Sequence, residues 1–147
     1  MAAWSRAWHE ANANAPVFTA DDMVSSYSRA QALEDGVLVD VTNVAREAGF
    51  RVPVALSAAV WADCVAWSDD DNRRKRACQD EQGRLWDVLW MAKLAARRNS
   101  AARLAYEVLR VPREGKGLRP RPVRLTMQIG PGDTHEPVIT ITAENED

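Results

Sequence analysis

The sequence predicts a single α+β domain in which a C-terminal antiparallel β-meander packs against a central helix, with short helices ahead of it. Two observations carry that expectation. Gln79 to Arg98 is the longest uninterrupted helical pattern in the chain, with Leu85, Val88, Leu89, Ala92 and Ala96 at three- and four-residue steps. After it, apolar and polar residues alternate in three short runs, the signature of half-buried strands. A chain of 147 residues is enough for one domain with one core. Residues 1–22 read as an N-terminal arm with a short helix, and residues 23–147 as the domain.

Taken in order, the arm is Ala/Asn-rich and carries Trp4 and Trp8 one helical turn apart, before Pro16. Two tryptophans on one face need cover, from the domain itself or from a partner. Ser28 with Gln31 forms a capping box that opens a short helix, and Gly36 closes it. Val37 to Val41 alternates like a strand. Thr42 is expected to cap a second helix, Asn43 to Ala48, ended by Gly49. Phe50 to Ala55 reads as extended, with Pro53 excluded from a central-strand position. Ser57 should cap a third helix bearing Val60, Trp61, Cys64 and Val65.

Asp69-Asp70-Asp71 followed by Arg73-Arg74-Lys75-Arg76 reads as a surface loop. Its opposite blocks either neutralise each other or offer an electrostatic handle to a charged partner. In the central helix, Asp80 and Glu81 suit the N-terminus, and Arg97 and Arg98 suit the C-terminus. Trp86 and Trp90 flank its apolar stripe. The three strands follow: one around Leu104, Tyr106 and Val108, one from Val123 to Ile129, and one from Val138 to Thr142. Pro112 to Pro122 is a turn-rich basic connection, and Gly130-Pro131-Gly132-Asp133 a loop. The acidic tail Glu144 to Asp147 is expected to be loose.

Composition excludes some classes and leaves others open. The formal net charge of -2 gives no global field toward nucleic acid or membrane. No run of 18 apolar residues is present, so no transmembrane helix is expected. The N-terminus lacks a signal-peptide pattern, which makes the cytoplasm the expected compartment. Cys64 and Cys78 are expected as free thiols, the first packed in a helix and the second in a loop. No nucleotide-binding glycine loop or hydrolase elbow occurs, and Cys64, Cys78, His9 and His135 are too scattered for a zinc site. No catalytic residue, cofactor or metal is expected.

The clearest local charge is the segment from Arg97 to Arg124. It holds Arg97, Arg98, Arg103, Arg110, Arg113, Lys116, Arg119, Arg121 and Arg124 against Glu107 and Glu114, a net +7 over 28 residues. Arg97, Arg98, Arg113, Lys116, Arg119 and Arg121 are the candidates for holding a polyanion or phosphate-bearing ligand. The alternative is a strand edge kept soluble by charge. Candidates for partner binding are Trp4, Trp8, Arg73, Arg74, Lys75 and Arg76.

Several stretches resemble a known bacterial family. They include Tyr27 to Ala32, Gly36 to Val41, Arg46-Glu47-Ala48-Gly49-Phe50, Pro53 to Leu56, and Val60-Trp61. Gln79-Asp80-Glu81, Gly83 to Met91, Gly130 to Asp133 and Glu136 to Thr140 continue the match. The chain resembles domain-of-unknown-function family 6573 over about residues 25 to 147, with Trp4 and Trp8 outside it. The resemblance implies a setting, accessory cargo of plasmids, integrative elements and phages, and carries over no catalytic residue. It implies a non-enzymatic protein that binds and inhibits or adapts a host defence protein or complex, such as restriction or CRISPR machinery. A second reading is a sponge for a phosphate-bearing ligand such as a cyclic nucleotide, or a nucleic-acid binder, using residues 97–124. A third is a small enzyme built on Asp80, Asp87 and His135. A homodimer stays open, and no membrane partner is expected.

Overall fold

The computed structural model describes residues 27–146. The arm, with Trp4 and Trp8, lies outside the described residues. The elements are α1 (Arg29–Glu34), β1 (Leu38–Asp40), α2 (Thr42–Glu47), β2 (Val54–Ser57), α3, α4 (Asp69–Lys75), α5 (Glu81–Arg98), β3 (Arg103–Arg110), β4 (Arg121–Pro131) and β5 (Pro137–Ala143). In α3, one helical turn, Ala58–Val60, runs into a π-helical stretch, Trp61–Val65. The fold is mixed α+β, as the sequence predicts.

The meander β3-β4-β5 forms as expected, and it is part of a larger sheet. Five strands run in the order β1-β2-β5-β4-β3. β2 lies parallel to β5, and β1 is antiparallel to β2. Side-chain alternation then produces continuous rows across the sheet. Leu104, Met127, Ile141, Leu56 and Val39 stand opposite one another in turn, one from each strand. Against this face lies α5, whose Leu85, Val88, Leu89, Ala92 and Ala96 are all buried, as their spacing predicts. Tyr106 sits in the same core, and its hydroxyl donates to the Val88 carbonyl at 3.2 Å.

The short elements are set by local caps. Ser57 Oγ accepts the Val60 N–H at 3.2 Å and donates to Glu146 Oε1 at 2.6 Å. Glu146 also accepts the Ala143 N–H at 2.8 Å. The tail expected to be loose is therefore tied back to the start of α3 through Glu146. Thr42 is the first residue of α2, and its N–H is received by Asp40 Oδ1 at 3.1 Å. Asp40 supplies the cap expected of Thr42.

The turn after β4 has a structural task as well. Strand pairing extends to Pro131, beyond the expected loop boundary. Asp133 then accepts the N–H groups of Arg29 and Ala30 at 2.8 and 2.9 Å. Those backbone hydrogen bonds hold its carboxyl below the usual aspartate range. Arg29 reaches onto the sheet, with Nη1 on Thr140 Oγ1 at 2.6 Å and Nη2 on Ile139 O at 2.8 Å. α1 is thereby fastened to the sheet face opposite α5.

The charged run 69–76 is not a loop. It forms α4, with a full capping box between Ser68 and Asp71 and with Arg76 as a left-handed C-cap at φ 54°. The unusual charge order has a simple cause: acids fill the first turn and bases the last, opposing the helix dipole at both ends. Apolar periodicity could not announce this helix, since it contains no apolar residue. The serine–aspartate spacing and the sign order were its only signals.

Candidate functional site

Two basic runs that are far apart in sequence meet on one face. The loop between β3 and β4 docks on α4 through its own carbonyl groups. Lys75 is 3% exposed, and its ammonium donates to Pro112 O, to Glu114 O at 3.1 Å and to Gly117 O at 2.7 Å. Arg74 donates to Gly115 O and Arg113 O, each at 2.7 Å. With these carbonyls turned inward, the loop presents Lys116, Leu118 and Arg119 to solvent, and Arg121 at the start of β4 is exposed as well. Arg73 and Arg76 are exposed on the adjoining helix.

Asp71 joins the two segments. It is 6% exposed and accepts from Arg74 at 3.0 Å, Arg113 at 2.7 Å and the Ser68 N–H at 2.9 Å. Burial by itself would raise its pKa. The hydrogen bonds from Arg74, Ser68 and Arg113 outweigh that and hold the carboxyl well below the usual range. Asp71 therefore stays ionised and fixes Arg113 at the base of the loop.

A second set of contacts joins α4 to α5. Trp67 lies under both Lys75 and Arg84, with the Arg84 guanidinium 4.5 Å from the ring centre. Its indole N–H donates to Asn72 Oδ1 at 2.8 Å, and Asn72 also bonds the Gln79 backbone. Arg84, 5% exposed, donates to Val65 O at 3.1 Å, Val111 O at 2.9 Å, Gln79 Oε1 at 2.9 Å and Asp63 O at 3.3 Å. Two of these acceptors are carbonyls of the π-helical stretch of α3. Arg84 thus closes a helix end whose carbonyls lack intrahelical donors.

Beside Arg84 is a cleft of about 200 Å³, bounded by Cys64, Asp87, Val108, Arg110 and Pro120. Burial pushes the Cys64 thiol up to about 11, so it is protonated and unreactive at neutral pH. Burial also raises the Asp87 carboxyl, which Arg84 partly offsets. Arg110 is paired with Asp63 at 3.0 Å. The Cys64 thiol faces the Asp63 carboxylate, Sγ to Oδ2 at 4.0 Å, and that negative neighbour adds to the effect of burial in keeping it protonated. Cys78 is exposed, as its loop position predicts. Among the described residues no group of three or more His, Cys, Asp or Glu side chains could hold a metal ion.

The expected site residues divide by location. Arg73 and Arg76 are exposed on α4, Arg113, Lys116 and Arg119 belong to the loop that Arg74 and the buried Lys75 hold, and Arg121 opens β4 opposite Arg110. Arg97 and Arg98 stand apart, at the C-terminus of α5. Arg84 near the start of α5 bonds the residue after β3, so α5 runs back along that strand toward Arg103. The eight-residue strand places the two arginine groups roughly 25 Å apart, at about 3.3 Å per residue. The net +7 segment is therefore two patches. Of the three enzyme candidates, Asp80 and Asp87 line one open cleft at the start of α5, and only His135 stands apart. Asp80 is the N-cap of α5, accepting the Gly83 N–H at 2.7 Å. Asp87 also borders the cleft beside Arg84, and His135 lies in the β4–β5 turn, at the other end of the sheet. Fold geometry does not assemble these three residues into a site.

No described helix is long and apolar enough to cross a membrane. Comparison with curated proteins finds no match, and comparison with solved structures finds none. A family model does match, over residues 14–147, starting nearer the N-terminus than the resembling stretches alone indicate and still leaving out Trp4 and Trp8. On that match the chain belongs to a family of unknown function, DUF6573.

Proposed function

We propose that this protein is a non-enzymatic binding protein, carried by a mobile genetic element, that blocks or adapts a bacterial host defence system. Its contact surface is the face formed by α4 and the β3–β4 loop. The observation that supports this reading is the use of two cations, Arg74 and Lys75, to hold a loop that displays further cations. A loop fastened by charge-assisted bonds loses little conformational freedom on binding, which favours affinity. The face is a mosaic: Asp69, Asp70 and Glu114 are exposed among the arginines, and Arg73 pairs with Asp70 at 3.3 Å. Mixed signs suit a folded protein partner with complementary charge better than a phosphodiester backbone, which rewards uniform positive charge.

The test is expression in bacteria that carry a restriction or CRISPR system, followed by phage challenge. Wild-type protein should raise plating efficiency on cells with the susceptible system. The variant Lys116→Glu, Arg119→Glu, Arg121→Glu, which keeps the Asp71 contacts, should lose that effect while remaining folded. Absence of protection across a panel of defence systems, or full protection by the variant, overturns the proposal.

A further inference from the structure

A different surface, the outer edge of β3, carries an inference independent of the basic face. β3 ends the sheet, with β4 on one side and no strand on the other among the described residues. It is eight residues long and contains neither proline nor glycine. The Ile129 N–H donates to the Ala102 carbonyl at 2.8 Å, which sets the phase of the ladder. Even-numbered residues of β3 turn their backbone groups toward β4, and Arg103, Ala105, Glu107 and Leu109 turn theirs outward. All four side chains are exposed, and Leu109 is 63% exposed. Natural sheets blunt such an edge with proline, a bulge or charged side chains. Here the charges alternate. Neither Arg103 nor Glu107 has an ion-pair partner among the described residues, because Arg124, opposite Glu107 on β4, pairs with Glu144.

We infer that this edge pairs with the same edge of a second copy of the chain, antiparallel, about a two-fold axis at Ala105. In that register Arg103 of each copy stands directly opposite Glu107 of the other. The small Ala105 side chains meet at the axis. Three residue pairs with outward-facing backbone groups then form about six hydrogen bonds, and the two five-stranded sheets become one. Charge selects the register. A slip of two residues in one direction places Arg103 opposite Leu109 and leaves every charge unpaired. A further slip sets Glu107 against Glu107. A closed two-fold contact of this kind uses up the edge and stops at the dimer.

Sedimentation equilibrium of the full-length chain across micromolar to millimolar concentrations tests this. The wild type should show a concentration-dependent dimer. Glu107→Lys puts lysine opposite arginine twice per dimer and should weaken association by about tenfold or more. Arg103→Glu should do the same, and the double variant Arg103→Glu, Glu107→Arg should restore the dimer. Ala105→Pro removes an outward N–H at the axis and should yield a folded monomer. A monomeric wild type, or a dimer indifferent to all these changes, overturns the inference. So does an edge whose amides gain protection from hydrogen exchange only when a different protein is added, since that would assign β3 to the other partner.

Discussion

Arg84→Met removes the charge that joins α3, α5 and the end of β3 while keeping a long apolar stem. The two short bonds to well-buried acceptors are those to Val65 O and Val111 O, whose residues are 0% and 6% exposed. A buried carbonyl that loses its donor costs about 1–3 kcal/mol, so the pair costs about 2–6 kcal/mol. Gln79 can turn toward solvent, and the 3.3 Å contact to Asp63 O is long, so neither adds much. Against this stands the desolvation of the guanidinium, which methionine avoids. The net expectation is a loss of about 2–4 kcal/mol, or roughly 4–16 °C in Tm for a domain of this size. Urea unfolding of wild type and variant, with linear extrapolation, measures it. Arg84→Lys should fall between them, because an ammonium reaches fewer acceptors than the guanidinium fork. A methionine variant within about 0.5 kcal/mol of wild type would refute the reasoning and show that Arg84 merely fills space.

Further expectations concern the core, the acid range and the basic face. Leu89 is 0% exposed, so Leu89→Ala should cost about 2–5 kcal/mol, and an unchanged Tm would show that α5 is not the core element. The Asp71 carboxyl has a lower pKa folded than unfolded, so its contribution is complete above the ordinary aspartate value of about 3.9 and fades as pH falls below it. The difference in urea midpoint between wild type and Asp71→Asn should therefore be constant near neutrality and narrow in acid, and a difference independent of pH would contradict this. Replacing Arg113, Lys116, Arg119 and Arg121 by alanine should weaken heparin binding and flatten its salt dependence, because fewer counterions are released. Replacing Arg97 and Arg98, at the other end of β3, should add to that effect without coupling to it, and a strongly non-additive result would mean that one ligand spans both patches.

Much of this chain could be read without coordinates. The face of α5, the phase of β3 and β5, the Ser57 cap and the positions of both cysteines follow from local pattern, while the capping box expected at Ser28 forms only by half, since the Gln31 side chain donates to Asp35. Each depends on residues within a turn or two of one another, where spacing by itself decides which side chains share a face. The family resemblance was legible in the same way, from contiguous stretches. What sequence could not supply were the long-range partners. Nothing in Val54–Ser57 says that it will lie parallel to β5, because its partners Ile139 to Ile141 lie far along the chain and no local spacing links the two. Helix α4 stayed hidden because it is stabilised by a capping box, its dipole and a carbonyl cage, and buries an aspartate and a lysine in place of apolar residues. The basic segment read as one patch because residues adjacent in sequence were assumed adjacent in space. The tertiary structure parts Arg97 from Arg113 by the length of a strand, and joins Arg113 to Asp71 and Arg74 across some forty residues of chain. Side-chain chemistry was written in the sequence, and only the closure of the sheet on α5 decided which of those charges meet.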